Sequence, residues 1–323
     1  MAFSPSMQFQ KIVVTGAGGF LGRHLVPILQ SRYGPDRVIP VTSRDYDLMD
    51  PPQVRRLFDD HKPDALIHLA AYVGGIGANR EYPATFFHRN ILLTALMFEA
   101  AAERRLARLL YPMGGCSYPA KAASPIGEDQ MWEGYPQKES AAYSTAKKMG
   151  LVASEAYRRQ RGLSSVVLIP GNMYGEYDNF REKESHVVPA LIRRYHEAKL
   201  AGAPSVTAWG TGRATRDFVY AGDVAALFPF FLEEYDSSEP VNLSSGVSTS
   251  IRELTETIRE LTAFPGEIAW DPTKPDGQLE KIFDVTRMKQ LGLSCPTSLR
   301  DGLRRAIGWF EANYATRGDG LRL

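Results

Sequence analysis

Apolar residues in the first half of the chain follow two alternating patterns. Short continuous runs at residues 11–15, 37–41, 65–69, 108–113 and 165–169 are bounded by glycine, proline or polar residues, and they predict buried β-strands. Between them, apolar residues recur at helical spacing, first through Leu25, Ile28 and Leu29, then over 84–105 and 143–160. Strands and helices in strict alternation predict an α/β fold: a doubly wound parallel sheet with helices on both faces. Pro40 falls inside a predicted strand, where it cannot donate to a ladder, and is read as a local bulge. Beyond Phe180 the alternation breaks down. Helices expected over 186–200 and 250–262 are read as part of a smaller C-terminal α/β unit.

Sheets of this kind bind ligands beyond the carboxyl ends of their strands, near the point where strand order reverses. The segments 16–22, 70–77, 113–119 and 170–180 all follow strands, so they are expected to converge on one cleft. The first of them reads Gly16-Ala17-Gly18-Gly19-Phe20-Leu21-Gly22. In this GxxGxxG pattern Gly16 makes the tight turn, Gly19 lets backbone approach a pyrophosphate, and Gly22 lets the helix lie close on the sheet. The helix N-terminus then offers N–H groups and positive dipole to phosphates. The pattern predicts a Rossmann-like dinucleotide-binding domain over 1–180, with a return near 217–246, and a substrate-binding domain over 181–216 and 247–323. At the tip of the second strand stand Thr42-Ser43-Arg44-Asp45. Hydroxyls and a guanidinium there suit a 2′-phosphate through Arg44, so NADP(H) is expected in preference to NAD(H).

Tyr143 and Lys147 lie four residues apart on a predicted helix, hence on one face. A lysine ammonium beside a phenol favours the phenolate, and a phenol tuned in this way exchanges a proton with a carbonyl/alcohol pair, as hydride transfer requires.

Composition narrows the class. The chain has 323 residues, 44% hydrophobic and 23% charged, with a net charge of +1, which argues against general nucleic-acid or acidic-membrane binding. No apolar run reaches transmembrane length, residues 1–10 read as a short polar tail, and the two cysteines form no disulfide framework, so a cytoplasmic location is expected. No metal-ligand cluster is found.

Taken together, the glycine turn, Asp47-Leu48-Met49-Asp50, His68-Leu69-Ala70-Ala71, Asn90 and the YxxxK pair resemble the extended short-chain dehydrogenase/reductases. Within that family the chain resembles the GDP-L-fucose synthases, through Val73-Gly74-Gly75-Ile76, Cys116-Ser117-Tyr118-Pro119, Asn172-Met173-Tyr174-Gly175, Asp178-Asn179-Phe180, residues 185–190, Trp209-Gly210-Thr211-Gly212, Arg216-Asp217-Phe218 and Lys274-Pro275-Asp276-Gly277. The resemblance implies an NADP(H)-dependent enzyme acting on a GDP-linked 4-keto-hexose, with epimerisation at C3 and C5 and reduction at C4. It implies that Tyr143 and Lys147 serve the C4 oxygen and the nicotinamide, and that Cys116 and His186 are the epimerisation acid/base pair. It implies cofactor contacts from Gly16, Gly19, Phe20, Leu21, Gly22, Arg44, Asp50, Leu69, Ala70, Ala71, Lys147, Pro170, Asn172 and Met173. Substrate contacts are implied for Asn172, Asn179, Val187, Arg194, Trp209, Arg216 and Lys281, the last four at the nucleotide diphosphate and base. A homodimer through the helices at 93–105 and 143–160 is implied as well.

One departure bears on the chemistry. The family has a serine two residues before the epimerase cysteine, its hydroxyl bonded to the C4 oxygen; here the run is Met113-Gly114-Gly115-Cys116. Losing one donor to a developing oxyanion costs about 10²–10³ in rate. Ser117, Thr145 or a water are the replacements considered, and the paired glycines are also read as making room for a bulkier sugar. Gln278-Leu279-Glu280 departs from the family near the nucleotide. The alternatives are an epimerase alone, GDP-mannose 3,5-epimerase-like or 4-epimerase-like, or a 4-reductase alone. A regulatory protein keeping the fold as a binding module is the competing class, set against retention of the Tyr/Lys pair.

Overall fold

The computed structural model describes residues 8–181, 184–274, 276 and 278–317. Pro275 and Gly277 of the Lys274–Gly277 motif, and residues 1–7 of the N-terminal tail, lie outside the described residues. The main sheet has six strands: β1 (Ile12–Thr15), β2 (Val38–Val41), β3 (Ala65–His68), β4 (Arg108–Pro112), β5 (Ser165–Pro170) and β6 (Val241–Leu243). All pairs are parallel and the spatial order is β2-β1-β3-β4-β5-β6. Burial on both faces explains why β1, β3 and β5 read as unbroken apolar runs rather than alternating ones.

Five helices flank the sheet: α1 (Phe20–Tyr33), α2 (Pro51–His61), α3 (Pro83–Glu103), α4 (Ala141–Arg161) and α5 (Ala221–Glu233). The chain runs one way from β1 to β2 and the other way from β3 to β5. Right-handed crossovers therefore place α1 on one face and α3 and α4 on the other. Accordingly α1 packs on α5, and α3 packs on α4. Pro40 needs no bulge. Its register with Val14 is unbroken, and β2 is the edge strand, so the missing N–H costs no ladder bond.

Two clusters of buried side chains form, and they do not follow a single cut in the chain. The first surrounds the main sheet and includes Phe283, Val285 and Met288 from late in the sequence. Asn242 of β6 fastens that late segment, its Nδ2 donating to the Asp284 carbonyl (2.9 Å) and the Ile126 carbonyl (3.0 Å). The second cluster gathers Tyr174 and Phe180 with Val188, Tyr195, Phe218, Leu254 and Phe310. Tyr174 ends a short strand, Asn172–Tyr174, that pairs with Phe218–Tyr220 beyond the carboxyl end of β5.

Gly150 lies inside α4 where the helix presses on β4, and a Cβ there would overlap the Tyr111 ring. Helix propensity by itself favours alanine over glycine by about 1 kcal/mol. Overpacking reverses the sign, so Gly150→Ala should lower the unfolding free energy by about 1–3 kcal/mol in chemical denaturation. Unchanged or increased stability would contradict this packing.

Candidate functional site

The glycine turn meets the reversal of strand order. Gly16 adopts φ +68, and a Cβ on it would stand 2.7 Å from the Ala70 backbone nitrogen, so the turn after β1 and the segment after β3 touch with no side chain between them. A Cβ on Gly22 would meet the Gly16 carbonyl oxygen and the Ala17 backbone, which is why α1 can begin so close to the strand end. Gly19 precedes α1, and Phe20, Leu21 and Gly22 form its first turn, whose N–H groups have no intrahelical acceptor. This cradle of backbone and positive dipole fits a dinucleotide diphosphate. The backbone of Leu69 and Ala70 lies against Gly16, and Ala71 follows them in the chain. Arg44 is exposed at the tip of β2, and Asp50 precedes α2.

The segment after β3 is held by Asn90. Its Nδ2 donates to the carbonyls of Tyr72 (3.0 Å) and Phe86 (2.7 Å), and its Oδ1 accepts from the Tyr72 N–H (3.0 Å). The ring of Phe86 stands edge-on to Tyr143 with centroids 6.2 Å apart. Thus α3 anchors the loop and brackets the phenol at once.

Tyr143 is half-buried and Lys147 is buried, one turn further along α4. The Lys147 ammonium lies 4.0 Å from the centroid of the Tyr111 ring. Tyr111 is itself fixed by a hydroxyl contact with Thr94 (2.8 Å) and stacks on His68, whose Nδ1 is 2.8 Å from the Thr15 hydroxyl. Burial pushes His68 down to about 3, so this bed beneath the lysine stays neutral.

The expected effect of Lys147 on the phenol is corrected here. Burial holds the Tyr143 phenol well above its ordinary range, with the charge of Cys116 adding to the shift. Burial also pushes Lys147 down to about 7. In the ligand-free protein the lysine is only partly charged at neutral pH, so desolvation of the phenolate outweighs the attraction.

Cys116 stands beside Tyr143. A Cβ on Gly114 would lie 3.1 Å from the Cys116 Sγ and 3.9 Å from the Tyr143 Cε1, so the glycine opens space between thiol and phenol. The same does not hold for Gly115. A Cβ there would overlap the Phe283 ring, so the chain's own side chain fills that space and no sugar can. Two replacements for the family serine are also set aside. Ser117 is fully buried and donates to the Ser144 carbonyl (3.0 Å), and Thr145, two residues from Tyr143, lies on a different face of α4.

Lys281 was expected only at the nucleotide. It belongs to a short strand, Glu280–Lys281, paired in parallel with Thr215–Arg216, and its side chain feels the charges of Cys116 and Arg216, burial lowering its pKa. Extended backbone puts Lys281 on the same side as Phe283, which packs on Gly115 beside the thiol. Lys281 therefore comes near the Cys116 thiol. The neighbouring Arg216 donates to the carbonyls of Thr215 (2.7 Å) and Gln278 (2.6 Å), and burial lowers its pKa.

The other expected substrate residues are more dispersed. Asn172 donates through Nδ2 to the Asp217 carbonyl (2.9 Å) beside Met173, just past Pro170 at the end of β5. Asn179 is buried within its own loop, its Oδ1 accepting from the Arg181 N–H (3.2 Å). His186 precedes the helix Val187–Leu200, and this entry is tied to the cleft because the Gly75 N–H donates to the Glu184 carbonyl (3.0 Å). Val187 is exposed. On that helix Arg194 donates to the Thr207 carbonyl (2.9 Å) of the strand Ser205–Trp209. Trp209, at the strand's end, is 63% exposed rather than part of the core, and the Lys274 ammonium stands 5.8 Å from its ring centroid. Tyr111 and Phe283 were not foreseen. Both are apolar-face residues whose roles depend on what packs against them, a relation absent from local pattern.

Lys147 is mostly charged below pH of about 7 and mostly neutral above it, so a dinucleotide whose binding favours the ammonium would raise its pKa and draw in a proton. Calorimetric titration with NADPH at about pH 8, in buffers of different ionisation enthalpy, should report proton uptake that shrinks as pH falls below 7. Zero uptake at the higher pH would refute this reading of the lysine.

Comparison with known proteins gives concordant matches. A family model described as "NAD dependent epimerase/dehydratase family" matches residues 12–244. GDP-L-fucose synthase 1 of Arabidopsis thaliana is 38% identical over 314 residues, covering 97% of each chain. GDP-L-fucose synthase of Escherichia coli (strain K12) is 34% identical over 316 residues, covering 95% of this chain and 98% of that one. Among solved structures, a GDP-L-fucose synthetase from Naegleria fowleri bound to NADP superposes with a TM-score of 0.91 at 26% identity, covering 98% of both chains. Among the described residues no helix is long and apolar enough to cross a membrane.

Proposed function

Because the chain belongs to the NAD dependent epimerase/dehydratase family, within the extended short-chain dehydrogenase/reductases, we propose that it is an NADP(H)-dependent epimerase/reductase of a GDP-linked 4-keto-hexose. The observation that carries this reading is the grouping of Tyr143, Lys147 and Cys116 at the carboxyl end of a parallel sheet, beside the glycine turn.

The cofactor's diphosphate rests on Gly16, Gly19, Phe20, Leu21 and Gly22, its 2′-phosphate meets Arg44, and Asp50, Leu69, Ala70 and Ala71 border the adenosine half. Lys147, Pro170, Asn172 and Met173 border the nicotinamide, which when bound supplies the hydride for C4. Arg194, Trp209, Arg216 and Lys281 hold the substrate's diphosphate and base, guanidinium and ammonium matching phosphate and indole matching a purine. Asn172, Asn179 and Val187 line the sugar. A C4 ketone acidifies the protons on C3 and C5, and Cys116 and His186 remove and return them. Tyr143 then gives its proton to the C4 oxygen, a direction suited to a phenol kept protonated by burial. Lys147 draws a proton in and holds it next to that phenol.

The dinucleotide is assigned to 1–180 with 217–246, and the nucleotide sugar to 181–216 with 247–323. Both cysteines are free, in keeping with a cytoplasmic location. A homodimer is proposed through α3 and α4, where Phe87 and Val152 are exposed apolar residues on two helices that pack together. Light scattering should give about twice the chain mass of 35.9 kDa, and Phe87→Glu with Val152→Glu should give the monomer. A monomeric wild type would exclude the dimer.

The chemistry is tested by incubating GDP-4-keto-6-deoxy-mannose in deuterated water with and without NADPH. Label should enter C3 and C5, with one NADPH consumed per sugar. Cys116→Ser should block labelling, and Tyr143→Phe should slow NADPH consumption by about 10²–10⁴-fold while labelling continues. Isomerised sugar with no loss of NADPH would exclude the reductase half.

A further inference from the structure

A residue outside the expected set sits on the glycine turn. Arg23, half-buried in the first turns of α1, donates from Nε to the Gly18 carbonyl (3.1 Å), and its guanidinium centre is 5.5 Å from the Tyr177 ring. Gly18 in turn abuts the tip of β2, since a Cβ on it would stand 3.4 Å from the Thr42 Cγ2. The helix geometry leaves Arg23 free of the buried face. Leu21, Leu25 and Leu29 face the sheet, while Ile28, Ser31 and Arg32 face α5 across a shared groove. Steps of about 100° per residue put Arg23 on the face turned away from the sheet, and helical side chains lean back toward the N-terminus, over the glycine turn.

The β2 tip is arranged to receive a phosphate there. Its one acid, Asp45, is turned onto the strand's own Thr42, accepting from the backbone N–H (2.7 Å) and the hydroxyl (2.8 Å). The same Thr42 hydroxyl accepts from the Arg44 N–H (3.3 Å), so Arg44 is carried on the far side of the same turn. The Arg23 guanidinium is thus held on the Gly18 side of the contact between Gly18 and Thr42, and Arg44 is carried by the turn on the Thr42 side, where a ribose 2′-substituent emerges from a dinucleotide seated on the turn.

We infer that Arg23 is a second phosphate-reading residue, which acts with Arg44 on the adenosine 2′-phosphate and so sets the preference for NADP(H) over NAD(H). The Nε bond to Gly18 fixes the plane of the guanidinium, and its two Nη groups provide the fork that a phosphate accepts. The inference rests on the cofactor reading above.

Direct binding of NADPH and NADH to the full-length ligand-free protein, followed by fluorescence or calorimetry, tests it without turnover. Arg23→Ala should weaken NADPH about 10- to 100-fold and leave NADH within about 2-fold, with Arg23→Lys intermediate. A thermal melt of each variant separates folding from binding. If the wild type prefers NADPH and Arg23→Ala keeps that preference, or weakens both dinucleotides equally, the inference fails while the cofactor reading stands. If the wild type shows no preference, the cofactor reading fails and takes the inference with it.

Discussion

The close approach of two backbones at the reversal of strand order governs the rest of this molecule. Gly16 and Ala70 follow adjacent parallel strands whose crossovers leave in opposite directions, and no side chain fits between them. That contact opens a crevice whose walls are backbone amides on one side and the carboxyl ends of β4 and β5 on the other. Several elements converge on it. Tyr143 and Lys147 arrive from α4, Cys116 from the turn after β4, Asn172 from beyond β5, and Lys281 from the late segment that crosses back over the sheet.

Burial rather than proximity decides the electrostatics of the crevice. Lys147 lies on an aromatic face, over a neutral stack of Tyr111 and His68, and has lost most of its hydration. Its pKa falls toward neutrality, and the phenol beside it rises instead of falling. The pair is therefore tuned by its burial, and the phenol is kept in the form that can donate.

The glycines after β4 show how alike two positions can look in sequence and how differently they act. Gly114 leaves space between the Cys116 thiol and the Tyr143 ring, at the position where the family resemblance implies a hydroxyl. Gly115 leaves space that Phe283 fills, more than 160 residues further on. One opens the cleft and the other closes its floor.

Strand and helix positions through Ile169, the glycine turn, and the residues of the Tyr/Lys pair were all legible in the chain, because each depends on local spacing and on chemistry within a few residues. The place of Pro40 at an edge, the membership of Phe283 in the first core, the reach of Lys281 to Cys116 and the seat of Arg23 over Gly18 were not. Each of these is a contact between segments that local pattern does not relate, or a burial that only packing sets. Sequence periodicity says which face of an element is apolar; the order of strands in space decides what that face meets, and so which charges lose their water.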